Sequence, residues 1–320
     1  MSTSIDGPGR ASRGPVIAAF AAIYLIWGST YLGIRFAVET LPPFLMGGAR
    51  FLTAGLILYT WLRVTGTLSP SLVNWRHAAL ASTLLLGVGN GAVNWAEQKV
   101  SSGLTALIIA GTPVWFALFD WLWPGGTRPT RQTILGIAVG FAGVLVLVGS
   151  RSTLHGGATD FTGVVVLVCA SVAWAVGSLY TKYAPKPESP MMVAAQQMIA
   201  GGIILSLTGL ATGEAATFDA ARVSTRSLAA FVYLTLIGSL LGFSVYAWLL
   251  KATTPARLST YAYVNPVIAV FLGWALGGEV LTAQMLMAAA VIVFGVVVIT
   301  ARRTPPAASL GNSASARPVS

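Results

Sequence analysis

Charged residues are scarce in this sequence, and acidic ones are the scarcest. Only 9% of its 320 residues are charged, with 9 Asp and Glu against 19 Lys and Arg, whereas 55% are hydrophobic. A soluble globular domain carries about 25% charged residues, so this composition excludes an ordinary soluble protein. The apolar residues come in long blocks, which indicates a polytopic membrane protein whose first partner is the lipid bilayer.

Cysteine, histidine and catalytic motifs are also scarce or missing. The single cysteine, Cys169, excludes an internal disulfide, and two histidines are too few for a metal site built from nitrogen and sulfur ligands. The sequence has no Walker loop, no His-Glu-x-x-His, no paired aspartates and no nucleophile elbow. It therefore predicts no catalytic residue, no cofactor, no metal and no enzyme. The net charge of +10 comes from basic residues that are spread between the apolar blocks rather than gathered on one face. The sequence therefore also predicts no nucleic-acid partner.

Ten apolar blocks, five on each side of a polar joint, organise the chain. Each is about 19–27 residues long, which suits a tilted membrane helix. We predict a first five-helix repeat at 15–150, a linker at 151–160, a second repeat at 161–301, and disordered tails at 1–14 and 302–320. The blocks lie at about 15–38, 43–63, 75–98, 103–123 and 132–149, then at about 161–184, 190–212, 227–251, 256–277 and 281–301.

The two halves repeat each other. Matched positions keep a spacing that drifts by only a few residues along the chain, which indicates an internal duplication. Because each half has an odd number of spans, the second half must enter the membrane from the opposite side, as an inverted repeat. The matched pairs are Trp27 with Trp174, Pro43 with Pro190, Gly55 with Gly202, Lys99 with Lys251, and Pro113 with Pro266.

Basic residues predict the orientation in the membrane. If the termini and every second connection share one face, that face carries thirteen Lys and Arg, and the other face carries five. Positive residues favour the cytoplasm, so both termini should be cytoplasmic. The thirteen are Arg10, Arg13, Arg63, Arg76, Arg128, Arg131, Lys182, Lys186, Lys251, Arg257, Arg302, Arg303 and Arg317, and the five are Arg35, Lys99, Arg151, Arg222 and Arg226.

Two interrupted apolar segments predict where transport takes place. Pro266 lies in the middle of an apolar run and removes one backbone donor there. Tyr263 and Asn265 add polar groups at the same depth, and these must face other helices or a wet cavity. Pro113 takes the corresponding place in the first half. Such a pair predicts a transport site with Pro113 and Pro266 as hinges.

Polar residues also form a stripe in the third block. Asn90, Asn94 and Gln98 are four residues apart and so lie on one face of a helix. The two asparagines either face the substrate path or form hydrogen bonds between helices, and the sequence leaves both alternatives open. In the second half Tyr246 takes the place of Asn94. We therefore expect Asn94 and Tyr246 to line one central cavity asymmetrically.

Aromatic residues inside spans are candidates for the same cavity. Trp27 and Trp174 correspond in the repeat, and small residues follow each of them closely in the sequence. A tryptophan in the middle of a span is more often a packing residue than a ligand contact, but small neighbours favour a cavity border. Trp95 has the same two interpretations. The predicted cavity-lining residues are Trp27, Asn90, Asn94, Trp95, Trp174, Tyr246, Tyr263 and Asn265.

Few charges lie within or near the spans. Arg50 lies well inside a span, where an unpaired charge costs about 2.5–3.5 kcal/mol or more, so it must face protein or water. We interpret it as a structural charge that pairs with carbonyls freed near Pro113 or with Glu97. Glu97, Asp120 and Glu279 are candidates for proton coupling, but each lies near a span end. We interpret these three acids as solvated.

Several of these residues carry a family resemblance. Each half has an early Trp, then a Pro, then a late Pro followed by a Thr-x-Gln closing helix, and Glu279 stands just before Thr282. In this, residues 15–301 resemble the EamA-type carriers of the drug/metabolite transporter superfamily, and within it the YddG-type amino-acid exporters. The sequence departs from that pattern at Thr127, where an acid is expected, and at Ala288, where a glycine is expected.

The resemblance implies an all-α membrane protein with ten transmembrane helices, arranged as two inverted five-helix repeats around a central cavity. We expect a secondary-active or facilitative carrier in the inner (plasma) membrane, a monomer or weak homodimer, that exports amino acids or related small metabolites by alternating access. Aromatic amino acids are among the implied substrates. Nucleotide-sugars, purines and amphipathic drugs are the alternative substrates, and a membrane interaction protein without transport is the alternative class.

Overall fold

The computed structural model describes residues 13–124, 128, 130–148, 160–185, 189–252 and 261–300. Apart from residues 13, 14 and 160, the predicted tails at 1–14 and 302–320 and the predicted linker at 151–160 lie outside the described residues. Every regular element in the described part of the chain is helical. The all-α class predicted from the apolar blocks is therefore confirmed for that part.

The first half, as far as it is described, contains seven α-helices and one π-helix. They are α1 (Arg13–Ala37), α2 (Pro43–Val64), α3 (Leu72–Ser82), the first π-helix (Thr83–Asn90), α4 (Gly91–Ala96), α5 (Ser102–Ile109), α6 (Thr112–Leu122) and α7 (Arg131–Val148). The segment from α3 to α4 is one continuous helical run with the π-helix in its middle.

The second half repeats this order, with an added short helix. It contains α8 (Phe161–Tyr183), α9 (Pro190–Ala211), α10 (Glu214–Thr217), a 3₁₀ turn (Ala220–Arg222), α11 (Thr225–Tyr233), the second π-helix (Leu234–Leu241), α12 (Gly242–Ala252), α13 (Tyr261–Gly277) and α14 (Ala283–Thr300).

Proline and short polar side chains determine where helices begin. α2 and α9 begin on Pro43 and Pro190, whose missing N–H groups cost nothing at a first helical position. The hydroxyl of Ser101 accepts from the Leu104 N–H and so caps α5. Because the two prolines correspond in the repeat, α2 and α9 begin at equivalent places.

Six helical segments are long and apolar enough to cross a bilayer. α13 and α14 contain shorter apolar helices, Val264–Gly277 and Ala283–Gly295. Together these segments form a multi-pass helical protein, whereas the count of ten spans stays a prediction. The six are Gly14–Ala37, Pro43–Val64, Ser102–Leu122, Phe161–Tyr183, Pro190–Ala211 and Thr225–Tyr246.

Helix packing follows the order that two related halves would produce. α2 packs along α9 and α7 packs along α14, so corresponding helices pair with each other. α1 packs on α12 and α13, and its counterpart α8 packs on the first π-helix and α6. Contacts between corresponding helices are expected for two related halves, and the inversion of the second half stays a prediction.

The contact between α2 and α9 depends on glycine. A Cβ atom at Gly202 would lie 2.6 Å from the backbone nitrogen of Leu52, and one at Gly55 would lie 2.8 Å from that of Ile199. Backbones this close leave no room for a side chain. Small residues allow helices in membranes to approach in this way, so the glycines matched in the repeat have a packing role.

The two π-helices are a feature that the sequence did not predict. They lie at corresponding places, each between an α-helix that starts on a serine cap and an α-helix that starts on a glycine. A π-helix has wider turns than an α-helix and is often found at functional sites. Here each one packs against a tryptophan from the opposite half, Trp174 against the first and Trp27 against the second.

The two predicted hinges differ in the structure. The helix is interrupted between Ile109 and Thr112, next to Pro113, and the Ile109 carbonyl accepts a hydrogen bond of 2.6 Å from the Thr112 hydroxyl. Pro266, by contrast, lies inside the continuous helix α13 and is buried. The break expected at Pro266 is therefore absent from the described residues 261–277, and movement at either proline stays a prediction.

Candidate functional site

An aromatic cluster joins the two halves in the interior. It consists of Trp27 from α1, Phe243 and Tyr246 from α12, and Tyr261 from α13. The Trp27 ring centroid lies 5.7 Å from that of Phe243, 5.2 Å from that of Tyr246 and 5.1 Å from that of Tyr261. All four side chains are half-buried. The cluster therefore offers apolar ring faces with two phenol groups, which suits an aromatic or aliphatic solute.

The second π-helix holds Trp27 in place. The indole Nε1 of Trp27 donates to the Gly238 carbonyl at 3.3 Å. A Cβ atom at Gly242 would lie 2.6 Å from the same nitrogen, so only glycine leaves room for the ring. Gly242 thus adds a small residue from the second half to those that follow Trp27 in the sequence, whereas a cavity at this ring stays a prediction.

Arg50 contacts the same π-helix at the next residue, Ser239. Its Nε donates to the Ser239 hydroxyl at 2.9 Å, and its guanidinium lies 4.7 Å from the centroid of the Phe51 ring. The side chain is only 4% exposed, and Nη1 is buried with no hydrogen-bond partner in the structure. Carbonyls near Pro113 or Glu97 were the predicted partners, and the hydrogen-bond partner in the structure is Ser239. A donor therefore remains free for a ligand.

Glu97 is buried, and the prediction that it is solvated is wrong. The residue is 1% exposed, and neither carboxylate oxygen has a hydrogen-bond partner in the structure. It follows α4 at the end of a span, in a stretch where Ala96 and Val100 are buried as well. Its charged neighbours are Glu279, Arg35 and Arg50. Glu97 and Arg50 are thus opposite charges that are both incompletely satisfied.

Glu279 is also buried rather than solvated, since its side chain is 6% exposed. Its Oε1 accepts from the Ser102 N–H and hydroxyl, both at 2.7 Å, and its Oε2 accepts from the Gly103 N–H at 3.0 Å. Arg35 Nε lies 3.6 Å from Oε1. Glu279 therefore caps α5 from a distant part of the chain, at the helix end that favours negative charge.

Asp120 is the third acid that was predicted to be solvated and is buried. It is 6% exposed, and its Oδ1 accepts from Lys182 Nζ and from the Tyr183 hydroxyl, each at 2.8 Å. The Trp123 and Tyr183 rings stack beside it at 6.0 Å. This group ties α6 to α8 at the end of the molecule opposite Glu279, because the chain runs from Ser102 to Leu122 between them.

Of the predicted cavity residues, three lie together. Trp27 and Tyr246 belong to the aromatic cluster, and the Asn265 carbonyl would lie 3.3 Å from a Cβ atom at Gly28, next to Trp27. Asn265 is 7% exposed, and its Oδ1 has no hydrogen-bond partner in the structure. The side chain of Tyr263 lies outside the described residues.

The other predicted cavity residues pack at helix contacts. Asn94 is fully buried, and its Nδ2 donates to the Pro43 carbonyl at 3.2 Å, so it forms the interhelical hydrogen bond that was one of its two interpretations. Trp174 lies against Gly89 of the first π-helix. Asn90 and Trp95 are half-buried, and Lys99 Nζ lies 4.7 Å from the centroid of the Trp95 ring.

The sequence contained only a weak signal for the residues it missed. Gly238, Ser239 and Gly242 form a run of small residues in the second half, and nothing in their periodicity distinguishes a π-helix from an α-helix. No group of three His, Cys, Asp or Glu side chains is placed to hold a metal ion among residues that the structure describes. The unsatisfied charges, Arg50 and Glu97, were visible only once the helices were packed.

Comparisons with known proteins match both halves. A model described as "EamA-like transporter family" matches residues 14–149 and 161–301. An uncharacterized inner membrane transporter of Escherichia coli K12, YedA, is 40% identical over 269 residues, covering 84% of this chain and 85% of that protein. A probable amino-acid metabolite efflux pump of Salmonella typhimurium is 23% identical over 280 residues, covering 83% and 88%. One crystal structure, at 21% identity, shares the fold with a TM-score of 0.60 and covers 90% of this chain and 96% of that chain.

Proposed function

The chain belongs to the EamA-like transporter family, and we propose that it exports α-amino acids, aromatic ones included, by alternating access. Its family and the names of its relatives indicate a membrane transporter rather than an enzyme. The observation that carries the proposal is that two buried charged side chains of opposite sign, Arg50 and Glu97, each have atoms without a hydrogen-bond partner.

A free amino acid is a zwitterion, and this pair complements it. Of the charged side chains in the described part of the chain, Arg50 and Glu97 are those with buried atoms lacking a hydrogen-bond partner. A guanidinium binds a carboxylate through a planar fork, and a carboxylate accepts hydrogen bonds from an ammonium group. Burying such groups is costly unless they are paired, so a ligand that brings both opposite charges stabilises the site.

The aromatic cluster supplies a place for the substrate side chain. Trp27 and Arg50 contact adjacent residues of the second π-helix, because Trp27 Nε1 donates to the Gly238 carbonyl and Arg50 Nε donates to the Ser239 hydroxyl. A Cβ atom at Gly238 would lie 3.4 Å from Arg50 Nη2, so the polar and aromatic parts adjoin. A substrate with its carboxylate at Arg50 can therefore extend its side chain toward Trp27. The Salmonella relative's printed name, an amino-acid metabolite efflux pump, supports the same substrate class.

A planar solute without a zwitterion, such as a purine, is the second candidate substrate. Ring stacking on Trp27 and Tyr246 favours it, because stacking needs no charge complement. It would leave Arg50 Nη1 and Glu97 unsatisfied. The two candidates therefore differ in whether Arg50 contributes to substrate affinity.

Counterflow into proteoliposomes separates these candidates. We expect purified protein to exchange L-phenylalanine and L-tryptophan, and Arg50→Gln to reduce the apparent affinity for both about ten- to a hundredfold, since a hydrogen bond to a charged group contributes about 1.5–3 kcal/mol. Arg226→Gln is the matched control, because Arg226 is half-exposed and already pairs with Glu39 at 3.4 Å. Exchange of adenine but no amino acid, or full affinity in Arg50→Gln, contradicts the proposal.

We also propose that both termini are cytoplasmic, which makes the Glu279 end external. The support is the thirteen-to-five distribution of basic residues. Leu68 and Ala216 are exposed at opposite ends of the paired helices α2 and α9. In a Cys169→Ser background we expect an impermeant maleimide to label Ala216→Cys in intact cells and Leu68→Cys only after permeabilisation. The reverse pattern means that the orientation is inverted.

A further inference from the structure

A small polar cleft lies outside the site described above. It is bounded by α3, by the end of α8 and by the start of α9, and its volume is about 20 Å³, enough for one group the size of a water molecule. None of the described residues that line it is Asp, Glu, Lys or Arg, so a charge held there would be buried without a counter-charge. The polar residues of its wall are Asn74, His77, Thr181, Gln196 and Gln197.

Gln196 is the residue of this cleft that requires a ligand. Its side chain lines the cleft and is fully buried, yet neither the amide nitrogen nor the amide oxygen has a hydrogen-bond partner in the structure. An amide that is removed from water without new hydrogen bonds destabilises the fold, and buried polar groups are normally hydrogen-bonded. The partner that Gln196 lacks must both accept and donate a hydrogen bond.

The other polar groups of the cleft bind each other. Gln197 Nε2 donates to the Thr181 hydroxyl at 3.1 Å, which joins the start of α9 to the end of α8. His77 Nδ1 lies 2.6 Å from the Tyr180 hydroxyl, which joins α3 to α8. These hydrogen bonds hold the three helices around the cleft, and they leave the amide of Gln196 without a protein group to bind.

A hydroxyl group meets the requirements of Gln196. It is about the size of a water molecule, it is neutral, and its single oxygen both donates and accepts. A metal cation or an ammonium group would leave the amide N–H of Gln196 unsatisfied, because neither can accept a hydrogen bond. A carboxamide can donate and accept, but it has three heavy atoms, and the cleft accommodates one water-sized group.

The cleft lies where membrane spans end, at the depth of the lipid headgroups. The span Phe161–Tyr183 ends at the cleft, and the span Pro190–Ala211 begins there. Trp61, near the end of α2, is 64% exposed, and the Tyr59 ring lies 5.8 Å from the Trp75 ring at the start of α3. Tryptophan and tyrosine at span ends are typical of the membrane–water interface. A phospholipid headgroup can therefore bring a hydroxyl to the cleft.

An exposed arginine at the same end favours a phosphate. Arg76 directly precedes His77 in α3, and it is exposed and has no ion pair with any residue that the structure describes. Lys182, next to Thr181, already binds Asp120 at 2.8 Å. An arginine at the membrane surface attracts anionic lipids and binds phosphate through its planar fork.

We propose that this cleft binds a phospholipid whose headgroup carries both a phosphate and a free hydroxyl, such as phosphatidylglycerol. The hydroxyl binds the Gln196 amide, and the phosphate binds Arg76 outside the cleft. This site is separate from the proposed substrate site and does not depend on the proposed function. Because the lipid satisfies a buried amide only in the folded protein, its binding stabilises the fold.

Native mass spectrometry of the purified protein tests the hydroxyl. With equal acyl chains, we expect phosphatidylglycerol to bind about tenfold more tightly than phosphatidic acid, which is anionic but has no headgroup hydroxyl beyond its phosphate. Gln196→Met keeps the length of the side chain and should reduce this ratio to about one. Gln98→Met changes an exposed glutamine at the other end of the same helical run and should keep the ratio. Equal binding of the two lipids, or an unchanged ratio in Gln196→Met, overturns the proposal.

The same measurement on Arg76→Gln tests the phosphate contact. This variant should bind both anionic lipids about fivefold more weakly and keep the ratio between them. Arg222→Gln is the matched control, because Arg222 is an exposed arginine beyond the opposite end of α9, and it should bind both lipids as the wild type does. Unchanged affinities in Arg76→Gln contradict the phosphate contact.

Free glycerol tests whether the hydroxyl comes from a lipid or from a soluble polyol. In detergent, phosphatidylglycerol should raise the unfolding temperature of the wild type, and an equal concentration of glycerol should leave it unchanged. If glycerol raises the unfolding temperature as much, the cleft takes a soluble polyol and the lipid assignment is wrong.

The stability of Gln196→Met separates a ligand site from a structural role. Replacing an unsatisfied buried amide with an apolar group of the same length should not lower the unfolding temperature without lipid, whereas the rise caused by phosphatidylglycerol should be lost. A lower unfolding temperature without lipid means that the amide stabilises the protein itself, and the proposal fails. Ala184→Leu leaves Gln196 in place and narrows the cleft from the end of α8. It should also lose the preference for phosphatidylglycerol, and a retained preference contradicts the assignment of the cleft.

Discussion

Replacing Glu279 with alanine is expected to lower the free energy of unfolding by about 3 kcal/mol or more, because it removes the charged acceptor of three hydrogen bonds and each such bond contributes about 1.5–3 kcal/mol. The change removes the acceptor for the Ser102 N–H and hydroxyl and for the Gly103 N–H, and it leaves Arg35 without its carboxylate. Because these groups belong to α1, α5 and the segment before α14, the loss should loosen one whole end of the molecule. Thermal unfolding in detergent, followed by intrinsic tryptophan fluorescence, measures the effect.

The controls for Glu279→Ala separate burial from charge. Glu39→Ala removes an exposed acid whose pair with Arg226 is partly solvated, and such pairs contribute about 0–1 kcal/mol. Glu279→Gln keeps the side-chain shape and one acceptor oxygen, so its unfolding temperature should fall between those of the wild type and the alanine variant. An alanine variant as stable as Glu39→Ala would show that the Glu279 cap contributes little.

Replacing Gly202 with valine is expected to prevent correct folding or to lower the unfolding temperature sharply. The new Cβ atom would lie 2.6 Å from the Leu52 nitrogen and 3.0 Å from the Gly48 carbonyl, and both are backbone atoms that no rotamer change can move. Overpacking of this kind costs about 1–3 kcal/mol or more. Since α2 carries Arg50, separating α2 from α9 should also reduce amino-acid affinity.

The control for Gly202→Val is Gly14→Ala, in helix α1. A Cβ atom at Gly14 would meet nothing within 4 Å, so that variant should fold as well as the wild type. Size-exclusion profiles in detergent and the yield of monodisperse protein compare the two. If Gly202→Val is as monodisperse and stable as Gly14→Ala, the close approach of α2 and α9 is not needed for folding.

The outline of the fold could be predicted because the sequence features that determine it are local. Apolar blocks of spanning length, Pro43 and Pro190 at helix starts, and the matched positions of the two halves are all properties of neighbouring residues. In a bilayer the backbone N–H and C=O groups must form hydrogen bonds with each other, so apolar blocks of this length form helices. The described helices accordingly begin and end near the predicted spans, and the family model matches residues 14–149 and 161–301.

The candidate site was less predictable because its residues meet across the two halves. Trp27 was identified from its small neighbours, but its partners Tyr261 and Phe243 come from the second half. Glu97 was interpreted as solvated because it follows a helix end, and a position along one span does not reveal which segment covers it. The π-helices escaped prediction for the same reason, since no local pattern separates Leu234–Leu241 from an α-helix.

The sequence by itself determined the class of the protein, the duplication of its halves and the resemblance to its family. Hydrophobicity and matched spacings depend only on the order of the residues and not on how they pack. Only the tertiary structure decided which polar groups remain unsatisfied. Glu279 is paired and Glu97 is not, although both are single acids near span ends. Ser102 and Gly103 point their N–H groups at Glu279, whereas Arg35 and Arg50 donate to the Val100 carbonyl and to the Ser239 hydroxyl. Pairing in a buried site depends on the geometry of several helices at once, and that information exists only after they pack.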